Sequence, residues 1–396
     1  MNSRPPYATS TGVSEELLDE VRLRLTEWGV EPTPAQVAAA LRTQGRLLGD
    51  GAVLAVVEAL RAQMVGAGPL EPLLSDPEVT DVLVEGPQRV WVDRGRGLER
   101  AGVGFPSETA VRQLAQRLAI SAGRRLDDAH PWADARLPDG TRMHAVLPPV
   151  ASEGTCVSLR VMRQVAYGLA ELTRMGTLPP SGDRLLRAVM DSRLSFLVSG
   201  GTGSGKTTLL STLLGLAGHR ERLVLAEDCA ELRPDHPHVV RLETRPANQE
   251  GAGLVLLRDL VRQALRMRPD RLVVGEVRGA EVTDLLAALN TGHAGCGTVH
   301  ANTAGDVPAR LEALGVTAGL DRAAVHSQVA ASLDLLIHLE RDRSGTRRIA
   351  QVHVLERDAE GLVHTTPAVS WGCDGFVPEV GWPQLERLCA QRGVRL

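Results

Sequence analysis

Lys206 is the only lysine of the chain, and it closes the run Gly200-Gly201-Thr202-Gly203-Ser204-Gly205-Lys206, with Thr207 next. Of the 44 lysine and arginine side chains, all the others are arginine. A coding bias toward arginine accounts for that preference, and it leaves lysine where a compact ammonium is needed. In a G-x-x-x-x-G-K-[ST] loop the glycines let backbone N–H groups face phosphate oxygens, and the lysine reaches the β- and γ-phosphates. A planar guanidinium does not substitute for it there. The run is read as a phosphate-binding loop for ATP, with Thr207 holding Mg²⁺ through its hydroxyl and Thr208 touching an α- or β-phosphate oxygen.

Three other groups could complete such a site. Leu272-Val273-Val274-Gly275-Glu276 is an apolar run ending in an acid. At the strand end of a phosphate-loop NTPase, that acid sits beside the Mg²⁺ shell, so Glu276 is expected to act on the metal, through water. Capping of the next helix is the structural alternative. Glu227-Asp228-Cys229-Ala230-Glu231 places three acids at another strand end. Beside a triphosphate they would repel it unless they face Mg²⁺, a water or an arginine, and one of them is suited to orient the attacking water; a solvated acidic turn is the alternative. His293 and His300 lie seven apart across a glycine-rich turn and a strand. No further ligand pair has a zinc-like spacing. They are read as sensors of the γ-phosphate, against a purely structural use.

These groups need a parallel sheet to bring them together. Strands are expected at Leu194–Ser199, Arg222–Ala226, Arg271–Gly275 and Gly297–Val299, alternating with helices at Lys206–Leu216, Leu254–Met267 and Glu281–Asn290. That alternation implies a parallel sheet with crossover helices, and such sheets bind ligands at their strand ends. The tail adds strands near Arg348–Leu355 and Leu362–Ser370. Before this domain, residues 66–165 read as a small α+β domain: short strands at Asp81–Val84, Arg89–Val92 and Leu98–Val103, an amphipathic helix at Ser107–Ser121, a strand–turn–strand over Asp134–Arg142 and a strand at Val157–Val161. Residues 166–183, rich in glycine and proline, read as the connection between the domains. Residues 13–65 read as a helical segment, with Leu17, Val21, Leu25 and Trp28 on one face of its first helix, and residues 1–12 as disordered.

Composition sets outer limits. The 396 residues suffice for two or three domains. A net charge of −4 and a sequence pI near 6.3 argue against a general nucleic-acid coat. The five cysteines are scattered with no C-x-x-C pair, as in a reduced intracellular protein. No run of about 18 apolar residues is present, and the first dozen residues lack the apolar core of a signal peptide, so a cytoplasmic protein without a transmembrane segment is expected.

Phosphate loop, acidic box, Gly275-Glu276-Val277-Arg278 and histidine box stand in the order and approximate spacing of the type II/type IV secretion ATPases, which the chain resembles over about residues 60–355. Glu227-Asp228-Cys229-Ala230-Glu231-Leu232, His238–Arg245 and Arg136-Leu137-Pro138-Asp139-Gly140-Thr141-Arg142 look most like the tight-adherence pilus branch. Cys229 and Gly279 replace the proline and aspartate of the pilus-retraction relatives. The resemblance implies a RecA-like ATPase domain preceded by an N-terminal domain that closes over the nucleotide. From that domain Arg136, Arg142 or Arg160 would reach the phosphates. It implies Glu231 as the group that positions or deprotonates water. It also implies a homo-hexameric ring, attached at the inner face of the cytoplasmic membrane to an inner-membrane platform protein.

The expected function is therefore ATP hydrolysis driving pilus assembly or a related secretion machine. Nucleic acid is not expected as the partner. A conjugation or DNA-uptake ATPase shares the same core, and a weakly hydrolysing ATP-dependent switch is the non-enzymatic alternative. Nucleic-acid stimulation with steep salt dependence distinguishes the first, and absent turnover the second.

Overall fold

The computed structural model describes residues 15–28, 33–43, 49–64, 66–95, 97–161, 166–179, 181–247, 251–342, 345–372 and 375–396. Residues 1–12, expected to be disordered, lie outside them. The chain divides into two compact units, Met1–Arg163 and Gln164–Leu396.

The first unit opens with helices α1 (Glu15–Trp28), α2 (Pro34–Thr43) and α3 (Asp50–Met64). They share a small core in which Leu18, Val21 and Leu25 meet Val37, Leu41, Val56 and Leu60. Trp28, expected on the same face, is instead 41% exposed at the helix end. A short helix, α4 (Glu71–Ser75), leads into a six-stranded antiparallel sheet of β1 (Asp81–Glu85), β2 (Val90–Asp93), β3 (Leu98–Arg100), β4 (Trp132–Arg136), β5 (Arg142–Val146) and β6 (Cys156–Arg160), in the order β3-β2-β1-β6-β5-β4. Helix α5 (Glu108–Ser121) starts at Ser107, whose hydroxyl accepts the Ala110 N–H and so satisfies one orphan donor of the first turn.

Strand alternation decides what this sheet presents. Val82, Val84, Val90, Val92, Met143, Ala145, Val157 and Leu159 face the core with Val111, Leu114 and Leu118 of α5. The residues between them form the other face. Along it Asp93, Asp81, Arg160, Arg142 and Arg136 stand opposite one another in a single lateral row. The Pro-Asp-Gly turn read from the sequence joins β4 to β5, with Gly140 at φ +92°.

The second unit contains a nine-stranded sheet. Helices α6 (Leu169–Arg174) and α7 (Gly182–Asp191) precede β7 (Phe196–Gly200), α8 (Lys206–Leu214), β8 (Leu223–Glu227), β9 (Val239–Glu243), α9 (Leu257–Leu265), β10 (Arg271–Val277), α10 (Glu281–Asn290) and β11 (Ala294–His300). Then follow α11 (Val307–Thr317), α12 (Arg322–Ser332), β12 (Leu335–Arg341), β13 (Arg347–Arg357), β14 (Val363–Gly372), β15 (Gly375–Pro378) and α13 (Trp382–Gln391). The order is β15-β14-β13-β12-β7-β11-β10-β8-β9. Strands β12, β7, β11, β10, β8 and β9 run parallel, and β13 to β15 extend the sheet antiparallel.

Two apolar layers cover it, as buried parallel strands require. Phe196 and Val198 of β7 pack with α6, α7, α8 and α13 through Leu172, Leu186, Leu210 and Leu385. Leu197 faces the opposite layer, with Val261 of α9, Leu286 of α10, Leu311 of α11 and Val329 of α12. The stretch 166–183, read as a connection, contributes α6 and the buried Leu169, Leu172 and Leu178 to this core. Gly182 lies close under Leu178, whose Cδ1 would stand 2.7 Å from a Cβ there and would have to shift.

Candidate nucleotide site

The register sets the site. β7 pairs Gly200 with His300 of β11 on one side and with Leu339 of β12 on the other. β8 ends at Glu227, and β10 carries Glu276 one residue before its end, where its register with β11 shifts. The C-terminal ends of the parallel strands therefore converge on the start of α8, where the phosphate loop lies.

The loop's shape follows from its glycines. At Gly200, φ is +152°, and a Cβ would lie 2.5 Å from the Leu339 carbonyl oxygen and 2.6 Å from Ser204 Oγ. No other residue fits that crossing. Gly205, at φ +95°, then opens α8, whose first residues are Lys206 and Thr207. A helix N-terminus directs unpaired N–H groups and a partial positive charge at whatever the loop encloses. Lys206 Nζ donates to the carbonyls of Gly200 (2.9 Å) and Gly201 (2.8 Å), so the ammonium lies inside the loop. Ser204 Oγ is buried there with no hydrogen-bond partner among the described residues. An ammonium, a helix terminus and an orphan hydroxyl in one cradle fit a phosphate group.

The acids meet at the same edge. Thr207 Oγ1 donates to Glu231 Oε2 at 3.4 Å, which joins the expected metal-holding hydroxyl to the expected water-orienting carboxylate. Glu227, 2% exposed, accepts the backbone N–H groups of Glu231 and Leu232 on Oε1, both at 2.9 Å. Burial raises its carboxyl from the usual range to about 7, against the lowering effect of those two N–H groups. Gly275 gives it room, since a Cβ there would lie 2.9 Å from Glu227 Cγ. Glu276 Oε2 pairs with Arg278 Nη2 at 3.2 Å, and Arg278 Nε with Asp228 Oδ2 at 3.0 Å. One arginine thus neutralises an acid from each of two strand ends. Among the described residues no group of three His, Cys, Asp or Glu side chains could enclose a metal ion. Mg²⁺ arriving with phosphates keeps waters and needs only one or two protein ligands, which Thr207 with Glu276 or Glu231 can supply.

The two histidines separate. His300 ends β11 beside Gly200. His293 precedes β11 at the opposite end of that strand, its Nδ1 3.2 Å from Thr291 Oγ1 and 3.3 Å from the Ala288 carbonyl. Seven steps of extended chain amount to about 23 Å. Of the two histidines read as sensors of the γ-phosphate, His300 lies at the phosphate-loop end of β11 within this unit and His293 at its other end. Arg136, Arg142 and Arg160 form the cross-strand row of the first unit.

Two arginines went unnoticed in the sequence. Arg347 Nε donates to the Gly203 carbonyl at 2.9 Å, and Arg341 stands opposite it across the β12–β13 pair, with Nη1 3.7 Å from a Cβ built on Gly203. They bring positive charge to the loop from the same unit. Their one signal, an Arg/Gly turn between two apolar runs, was lost among so many arginines.

Known proteins resemble this chain in sequence and in fold. The family profile described as "Type II/IV secretion system protein" matches residues 63–370. A Mycobacterium tuberculosis protein, provisionally named for conjugal transfer, is 57% identical over 335 residues, covering 83% of this chain and 94% of that protein. The conjugal transfer protein TrbB of Rhizobium radiobacter is 32% identical over 289 residues, 71% of this chain and 85% of that one. The X-ray structure of the Yersinia pseudotuberculosis ATPase DotB, 14% identical, matches with a TM-score of 0.50 over 79% of this chain and 81% of its own, a likeness of fold. With its phosphate loop at the C-terminal ends of the parallel strands of a RecA-like unit, preceded by a small α+β unit, the chain belongs to the type II/IV secretion system protein family.

Proposed function

We propose that this chain is an ATP-hydrolysing motor subunit of a type IV secretion or pilus-assembly machine, working as a homo-hexameric ring. The observation that carries the reading is the convergence of Lys206, Thr207 and Glu231 at one end of a parallel sheet, with Thr207 and Glu231 in contact. Lys206 exchanges the carbonyls of Gly200 and Gly201 for phosphate oxygens. Thr207 and Glu276 would hold Mg²⁺, which would supply charge neutralisation at the phosphates. Glu231 accepts a hydrogen bond from the attacking water and turns it toward the phosphorus, and Arg341 and Arg347 add positive charge from the same unit. Arg136, Arg142 and Arg160 supply charge from the first unit. Positioning and charge stabilisation of this kind carry most of the catalysis of phosphoryl transfer to water.

No helix among the described residues is long and apolar enough to cross a membrane. Attachment at the inner face of the cytoplasmic membrane would then run through a platform protein. The decisive experiment is ATP turnover by the purified chain alongside binding of a fluorescent nucleotide. Binding without turnover above background would leave a switch, and neither would remove the reading altogether.

A second reading, a conjugation-associated motor, is favoured by the names of the Mycobacterium and Rhizobium relatives. Stimulation of turnover by DNA, lost steeply with added salt, would select it over pilus assembly.

A further inference from the structure

Arg278 stands one residue past β10, where two acidic strand ends meet. β8 and β10 are neighbours, with Ala226 opposite Val274. Asp228 follows the end of β8, and Glu276 nears the end of β10. The guanidinium joins them: Nε lies 3.0 Å from Asp228 Oδ2 and Nη2 3.2 Å from Glu276 Oε2. The backbone around all three is held in place. Glu281, 5% exposed in the first turn of α10, accepts the N–H groups of Arg278 and Gly279 on Oε1, both at 2.7 Å. Thr298 Oγ1 donates to the Gly275 carbonyl at 2.7 Å, just before Glu276, and Thr244 Oγ1 to the Asp228 carbonyl at 2.9 Å. The side chains themselves remain accessible, 49% exposed for Arg278, 37% for Glu276 and 34% for Asp228.

Two carboxylates at adjacent strand ends are hard oxygen ligands of the kind a divalent cation takes. Here one arginine engages both, and its charge opposes that of any cation approaching either acid. A partly exposed ion pair is weak and breaks readily. It can therefore yield Glu276 once phosphates add their own oxygens and charge. We propose that Arg278 is a positioning residue that holds Glu276 and Asp228 on one guanidinium and keeps them from taking up a divalent cation until nucleotide brings it. The proposal deepens the ATPase reading and rests on it. Metal and nucleotide then enter together rather than in turn.

The test is equilibrium dialysis of the full chain against Mn²⁺, with and without saturating ADP. The unmodified chain should retain Mn²⁺ several-fold more tightly with ADP than without. In the absence of nucleotide, Arg278→Gln should bind Mn²⁺ about 3-fold or more tighter than the unmodified chain. That is a fraction of what a neighbouring charge does to a carboxylate, because the pairs are partly exposed. Arg278→Lys keeps the charge and should gain less. Adding Glu276→Gln and Asp228→Asn to Arg278→Gln should abolish the gain. A merely structural arginine would give no gain, since a loosened site binds metal no better. Mn²⁺ affinity in Arg278→Gln equal to or below that of the unmodified chain overturns the proposal. So does a gain that survives loss of both acids, or one equally large in Arg278→Lys. If Arg278→Gln does not fold, an unmodified chain that retains Mn²⁺ as tightly without ADP as with it overturns the proposal on its own. An unmodified chain that binds no ADP would overturn the ATPase reading and this proposal together, whereas bound ADP with no gain in Arg278→Gln removes this proposal alone.

Discussion

Glu227 accepts the Glu231 N–H at 2.9 Å, so one buried acid fixes the backbone of the acid that touches Thr207. The contact carries a pH dependence. Burial raises the folded-state pKa of Glu227 to about 7 from a model-peptide 4.5. The folded chain thus keeps a proton that the unfolded chain gives up. Its stabilising effect is fully present below about pH 4.5 and is lost as pH rises toward 7. Glu227→Gln should remove this loss. Unfolding free energies from denaturant titrations at pH 5 and pH 8 should lie closer together in the variant, by an amount on the order of 1–3 kcal/mol. An unchanged gap would show that Glu227 titrates normally.

The single lysine allows a chemical test of the loop. An amine-directed acylating reagent should modify Lys206 and the α-amino group alone, and Mg·ATP should protect Lys206. Inactivation should track Lys206 labelling, measured by peptide mass. Full labelling with turnover intact would contradict its role. Lys206→Arg should also fail, since the guanidinium cannot take the place between the Gly200 and Gly201 carbonyls.

Glu231→Gln and Glu276→Gln keep side-chain size and remove charge. Each should lower kcat by roughly 10²-fold or more, the scale of a lost positioned acid–base group. Nucleotide affinity should change little for Glu231→Gln. Near-normal turnover there would transfer the water-orienting role to Asp228, which Arg278 holds at 3.0 Å.

The arginine row of the first unit is tested in the full chain. Arg136→Ala, Arg142→Ala and Arg160→Ala should keep nucleotide binding while at least one loses turnover, by up to roughly 10³–10⁵ if it acts as an arginine finger does. Specific activity should rise with protein concentration as rings form. Three variants with full turnover, together with activity independent of concentration, would leave charge stabilisation to Arg341 and Arg347 within the second unit.

The strand–loop–helix around Lys206 was legible because a motif, an apolar run and a helical stripe all agree there. Strand β12 was not, because Leu335–Leu339 follows directly on α12 and a short apolar run has no period of its own. Arg341, which it carries, was hidden with it. The stretch 166–183 misled in another way: its glycines and prolines suggested a connection, but it also forms α6 and buries Leu169, Leu172 and Leu178. His293 and His300 looked like a pair because seven residues seem close in sequence. Only the extended strand between them shows that they belong to its opposite ends.

Lys206 completes its own loop through the Gly200 and Gly201 carbonyls. A phosphate therefore enters by substitution rather than by capture. Each ammonium contact it displaces is a charge-assisted bond of about 1.5–3 kcal/mol. The measured affinity for nucleotide is what remains after that exchange, and departing nucleotide has a replacement partner for the lysine already in place. A loop built this way favours release of a bound phosphate.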